Sequence, residues 1–170
     1  MLKNVLMPSF GKSTTEKNSQ VPHLEDYLVN RKYSGGILLV FDLIEAVEGI
    51  YLPTEVRNTY IRSLVSMANN IGLWTNDMLS LQRELALGDV HNLVVVLQHH
   101  HQIPIQEALD RAMEMHDLEV KKYLELEKRL YEQKKPYENE LKKINDWSSI
   151  CLRGNLDWSM MTGRYQITSQ

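Results

Sequence analysis

Apolar residues recur at helical spacing from Val21 almost to the C-terminus. Leu24, Tyr27 and Leu28 mark a first helix, and Pro22 suits its opening turn. Ser34-Gly35-Gly36 breaks that helix near Tyr33. A second apolar stretch runs from Ile37 to Val47, with Asp42, Glu45 and Glu48 on its other faces. Leu52-Pro53-Thr54 is a turn and a restart. Glu55 through Ala68 then reads as one helix whose buried stripe is Val56, Tyr60, Leu64 and Met67. Asn69-Asn70 reads as the cap of a further helix, which closes at Gly88-Asp89. Residues 91–101, HNLVVVLQHHH, place five apolar side chains together, so this block should be buried on more than one side. Ile103-Pro104 restarts the chain, and 105–131 is its longest periodic segment, with Glu119 and Lys122 expected on exposed faces. Lys134-Lys135-Pro136 is a polar break. The last helical region spans Tyr137 to about Met161, with a kink or split expected at Gly154-Asn155. Residues 1–20 hold no sustained period and read as a loose lead-in. The expectation is an all-α bundle of about six to seven helices, formed by residues 21–170.

Composition narrows the class. A chain of 170 residues, 43% apolar and 24% charged, is long enough for one domain with a real core. A formal net charge of −3 gives no sign of a nucleic-acid partner. Cys151 is the single cysteine, so no internal disulfide forms, which fits a reducing cytoplasm. No apolar run approaches the ~20 residues of a membrane span, and no basic segment with an apolar core marks a signal peptide. His99, His100 and His101 invite a metal reading. Neighbouring helix residues point about 100° apart, however, so the three cannot chelate one ion.

The candidate chemistry lies between residues 76 and 84. Asn76, Ser80 and Glu84 are spaced i, i+4, i+8, which stacks them on one helix face. An amide oxygen, a hydroxyl and a carboxylate are all hard donors. Such a set suits Mg²⁺, which completes its octahedron with waters and phosphates. Arg83 adjoins the carboxylate and could reach a phosphate oxygen. Asp77 lies about 100° round the helix, so a structural role suits it better than a ligand's. A merely solvated helix face would show the same polar spacing. The neighbours Ile71, Leu73, Trp74, Met78, Leu79, Leu81 and Leu85 argue for burial instead.

The run Asn76-Asp77-x-x-Ser80-x-x-x-Glu84 resembles the second metal-binding motif of class I terpene synthases, most closely the bacterial sesquiterpene type. The likeness extends from about Val21 to Tyr165. It implies that Asn76, Ser80 and Glu84 bind Mg²⁺. Arg31 is implied as a diphosphate sensor, Ser34 as its linker and Gly35 as an effector at the helix break. Arg164 and Tyr165 would bond the diphosphate on closure, with Arg83 beside them. The implied reaction is Mg²⁺-dependent ionisation and cyclisation of a prenyl diphosphate, farnesyl diphosphate by the type of relative. Aromatic faces such as Trp74, Trp147 and Trp158 are candidates to steady a cation, though each also suits a plain core position. The family's aspartate-rich DDxxD-like motif is absent from this sequence, as is the half of the domain that carries it. The expectation is therefore an incomplete or split cyclase, weak or inactive alone, with a second chain supplying the aspartate-rich half. The alternative is a non-catalytic helical remnant or interaction module. A prenyl-elongating synthase fits less well, because its two aspartate-rich motifs do not appear.

Overall fold

A computed structural model describes residues 20–132 and 137–165. All of the regular structure there is helical: α1 (Leu24–Ser34), α2 (Ile37–Val47), α3 (Thr54–Val56), α4 (Arg62–Leu87), α5 (Leu93–His101), α6 (Ile105–Glu132) and α7 (Glu138–Met161). A π-helical turn, Arg57–Ile61, joins α3 to α4, and a 3₁₀ turn, Gly163–Tyr165, follows α7. The expected lead-in and Lys134-Lys135-Pro136 lie outside the described residues, apart from Gln20.

Local chemistry sets the boundaries. Glu25 and Asp26 open α1 while Arg31 and Lys32 close it, so both ends suit the helix dipole. The chain then turns through Gly36 at φ 76°, a left-handed conformation that glycine adopts without a Cβ penalty. Gly88 does the same at φ 67°, where its N–H bonds to the Glu84 and Leu85 carbonyls and ends α4. Asn92 caps α5 through its side chain, which accepts from the Val94 N–H.

Helix α4 is the spine. One side of it, through Leu64, Ala68 and Ile71, joins Phe41, Ile61, Tyr123, Leu141 and Ile144 in one core cluster. Further along the helix, Trp74 and Leu81 join Tyr27, Ala108, Ala112 and all five residues Leu93–Leu97 in a second. The apolar block of α5 is thus fully buried, as its composition requires. Each such aliphatic side chain contributes about 2 kcal/mol on burial.

Four expectations need correction. Leu85, expected among the buried neighbours of the ridge, is exposed near the end of α4. Asn69-Asn70 does not start a helix, because α4 runs through it unbroken. Both side chains are buried and have distant partners instead: Asn69 Nδ2 donates to the Lys32 carbonyl at 3.0 Å, and Asn70 Nδ2 to Glu119 at 2.7 Å. Glu119 is accordingly buried, not on an exposed face. Nor does Gly154 divide the last helix. A Cβ there would meet nothing within 4 Å, and α7 continues to Met161.

Candidate functional site

The site forms where the polar ridge of α4 meets the last turns of α1 and the cap of α5. Asp77 lies at its centre and is fully buried. One carboxylate oxygen, Oδ1, accepts from Arg31 Nε at 3.1 Å and Arg31 Nη2 at 2.7 Å. The other, Oδ2, accepts from the Tyr27 hydroxyl and from the Leu93 N–H at 3.1 Å. Four donors on two oxygens is an arrangement that an ionised carboxylate satisfies. Burial pushes the Asp77 carboxyl above the ordinary range, while Arg31, Tyr27 and the Leu93 amide pull it down. Burial works most strongly against the Arg31 charge, but Asp77 and Tyr27 together outweigh it and raise the guanidinium. The Tyr27 phenol is pushed far up, first by burial and then by the Asp77 charge.

Arg31 reaches further. Its Nη2 also donates to Asn76 Oδ1 at 3.2 Å, and its Nη1 lies 3.4 Å from the Ser34 hydroxyl. Asn76 in turn donates to the Tyr165 hydroxyl at 2.7 Å. Tyr165 packs edge-on against Trp158, 6.3 Å between ring centroids, with the Arg164 guanidinium 5.9 Å from its own ring. On the other side of the ridge, Asn92 Nδ2 donates both to the Asp77 carbonyl at 2.6 Å and to Glu84 Oε2 at 2.8 Å.

These contacts surround a cavity of about 400 Å³ lined by Tyr27, Asn30, Arg31, Ser34, Asn76 and Glu84, with Asp89 and His91 also on its wall. The structure therefore brings Arg31, Ser34, Asn76 and Glu84 together, with Tyr165 bonded to Asn76. Ser80 lies between Asn76 and Glu84 on α4, buried, its hydroxyl 3.5 Å from the Asp77 carbonyl oxygen. Gly35, Ser80, Arg83 and Arg164 do not line this cavity. Gly35 meets α4 instead, since a Cβ there would overlap the Leu73 side chain. Sequence reasoning placed Asp77 in a structural role and did not single out Asn92 or Tyr27 for the site. Asn92 did carry a signal, an asparagine directly ahead of an apolar helix. Its reach to Glu84 carried none.

The ridge carries hard oxygen donors, of which Asn76 and Glu84 stand on the cavity wall. Among the described residues no three His, Cys, Asp or Glu side chains converge on a common point. The ridge offers one carboxylate and one amide oxygen to the cavity, with the buried Ser80 hydroxyl between them in sequence. So weakly charged a set cannot neutralise a divalent ion alone, which suits Mg²⁺ held jointly by protein and phosphate oxygens. The same ridge continues into apolar space. Gly72, one turn before Asn76, lines a 240 Å³ pocket with Ile37, Val40, Phe41, Cys151 and Leu152. It also borders a wider apolar groove of about 920 Å³ between α4, α6 and α7. A Cβ at Gly72 would stand 2.7 Å from Ile37 Cδ1, so the tip of that side chain would have to shift.

Residues 8–122 match the family described as terpene synthase family 2, C-terminal metal binding. The chain belongs to this terpene synthase family. Its relatives include (+)-eremophilene synthase of Sorangium cellulosum (strain So ce56), 35% identical over 90% of this chain and 46% of that protein. Germacrene A synthase of Nostoc punctiforme (strain ATCC 29133 / PCC 73102) is 32% identical over 90% of this chain and 48% of that protein. Among solved structures, linalool/nerolidol synthase from Streptomyces clavuligerus has the same fold over 83% of this chain and 50% of that one, with TM-score 0.74 and 22% identity. This terpene synthase chain spans about half the length of the curated relatives it matches. Among its described residues no helix is long and apolar enough to cross a membrane. The three histidines 99–101 sit exposed in the last turn of α5, away from the ridge.

Proposed function

We propose that this chain supplies the diphosphate-binding part of a class I terpene cyclase, one that ionises and cyclises a prenyl diphosphate with Mg²⁺. The single observation that carries this reading is the shared ridge of α4. Gly72 borders apolar pockets, while Asn76 and Glu84, one and three turns on, border a polar cavity beside Arg31. A molecule with a hydrocarbon chain and an anionic head suits a surface that changes character in this way. A name among the relatives supports farnesyl diphosphate as the substrate. One of them, from Roseiflexus castenholzii (strain DSM 13941 / HLO8), is named (+)-T-muurolol synthase ((2E,6E)-farnesyl diphosphate cyclizing), at 34% identity.

Bound Mg²⁺ would supply Lewis acidity to the departing diphosphate, held by Asn76, Ser80 and Glu84. The chain's own residues orient the head group. Arg31 Nη1 faces Ser34 at a long 3.4 Å and is available to a phosphate oxygen, while Nε and Nη2 stay anchored on Asp77. A guanidinium fixed in this way loses little entropy when a diphosphate arrives. Tyr165, tethered to Asn76, brings a hydroxyl and the neighbouring Arg164 toward the same end of α4. Ile37, Val40, Phe41 and Leu152 keep water from the hydrocarbon end.

The partner in this reading is a polypeptide bearing an aspartate-rich half. It would cover α2, whose Leu39, Val40, Leu43 and Val47 are exposed. The test is diphosphate release from farnesyl diphosphate with Mg²⁺, by the chain alone and by the chain mixed with such a half. Turnover in the mixture only, abolished by Glu84→Gln, is the expected result. Product formation that survives Glu84→Gln would contradict it.

A further inference from the structure

We infer that Asn92 is a positioning residue that aims the Glu84 carboxylate at the metal, an inference that rests on Glu84 being a ligand. Asn92 is fully buried, although it lies in the short link between α4 and α5. Both the oxygen and the nitrogen of its side-chain amide are committed. Its Oδ1 accepts from the Val94 N–H at 2.9 Å and so begins α5. Its Nδ2 spans two acceptors on α4, the Asp77 carbonyl at 2.6 Å and Glu84 Oε2 at 2.8 Å. These acceptors belong to residues seven apart, two turns of the helix. The amide thus ties the cap of α5 to both the centre and the far end of the ridge.

The consequence for Glu84 is specific. Near the C-terminal end of α4 a half-buried glutamate has several rotamers available, and the adjacent helix end is electronegative. One hydrogen bond from a buried, immobile donor selects one rotamer and engages Oε2, leaving Oε1 for a ligand. It also offsets part of the unfavourable field of the helix end. Outer partners of this kind fix ligand direction and basicity, and their loss weakens metal affinity by roughly 10- to 100-fold. Asp77 completes the arrangement. The peptide that presents its carbonyl to Asn92 belongs to the residue whose carboxylate holds Arg31, so the metal side and the arginine side of the cavity share one anchor.

The test separates capping from aiming. Asn92→Ser keeps a cap acceptor for α5 but is too short to reach Glu84, and Asn92→Asp keeps size and cap but cannot donate. Binding of inorganic diphosphate to the full chain is followed by calorimetry over a series of Mg²⁺ concentrations, with melting checked by circular dichroism. The expected result is near-parental melting for Asn92→Ser with Mg²⁺-dependent affinity lowered about tenfold, recovered as Mg²⁺ is raised. Affinity equal to that of the parent at every Mg²⁺ concentration would overturn the inference and leave the metal reading intact. A parent chain that binds diphosphate without regard to Mg²⁺ would overturn the metal reading, and this inference with it. Should both variants melt early, the parent decides. Its Asn92 side-chain amide signals should move when Mg²⁺ and diphosphate are added together, and signals that stay fixed would count against the role.

Discussion

Nε and Nη2 of Arg31 close on a single oxygen of Asp77, at 3.1 and 2.7 Å, across 46 residues of chain. Arg31 keeps 16% of its side-chain exposure and Asp77 only 1%, so the pair is anchored from the buried side and open on the cavity side. The direction of the arginine toward the cavity is thereby fixed.

Breaking that pair should be costly. Asp77→Asn leaves the guanidinium without its counter-charge and puts an amide among four donors. The expected loss is about 3 kcal/mol, the lower end for a buried pair deprived of one partner, because Arg31 can still turn toward the cavity. Urea unfolding measures it, and an unchanged midpoint would show that the pair is not a structural anchor.

Tyr27 gives the chain a dependence on alkaline pH. Its phenol is raised above the ordinary 10.0, first by burial and then by the Asp77 charge. The folded chain therefore keeps a proton that the unfolded chain releases above pH 10. The stability involved is whole below that point and is lost as pH climbs beyond it. Tyr27→Phe should be less stable at pH 8, by about 1–2 kcal/mol for the donor lost from Asp77. It should then lose stability more gently than the parent above pH 10. Thermal melts of both proteins across that range provide the comparison, and parallel slopes would refute it.

Gly35 is needed for closeness rather than for backbone freedom. Its φ of −89° is open to any residue, but a Cβ would overlap Leu73, which is itself buried. Gly35→Ala should cost about 1–3 kcal/mol by overpacking. In a Leu73→Ala background the same change should be almost neutral, since the two sites share one space. Additive losses in the double variant would argue against this account.

The exposed stripe of α2 is testable without touching the site. Leu43→Glu alters an exposed side chain, so the chain's own stability should move by no more than about 0.5 kcal/mol. Turnover restored by an aspartate-rich half should nevertheless disappear. A full activity gain in that variant would mean that α2 is not the covered face.

The helices were legible because glycine and proline punctuate a clear helical period. Gly36 and Gly88 end segments in the left-handed turns that their positions suggest. Polar residues inside helices misled wherever their partners were remote. Asn69 and Asn70 look like a cap, yet they bond Lys32 and Glu119, 37 and 49 residues away. The i, i+4 spacing aligned Asn76, Ser80 and Glu84 on α4, but it did not show that Ser80 is buried while Asn76 and Glu84 line the cavity. The Asp77 hub was not legible, because it joins three elements, and only folding brings Tyr27, Arg31 and Leu93 to one carboxylate.

Equilibrium dialysis of inorganic diphosphate against the full chain, with and without Mg²⁺, tests the central claim most directly. The account predicts retention that requires Mg²⁺ and falls by at least about tenfold, ~1.4 kcal/mol, in Glu84→Gln. Retention that ignores Mg²⁺, or that Glu84→Gln leaves intact, would contradict it.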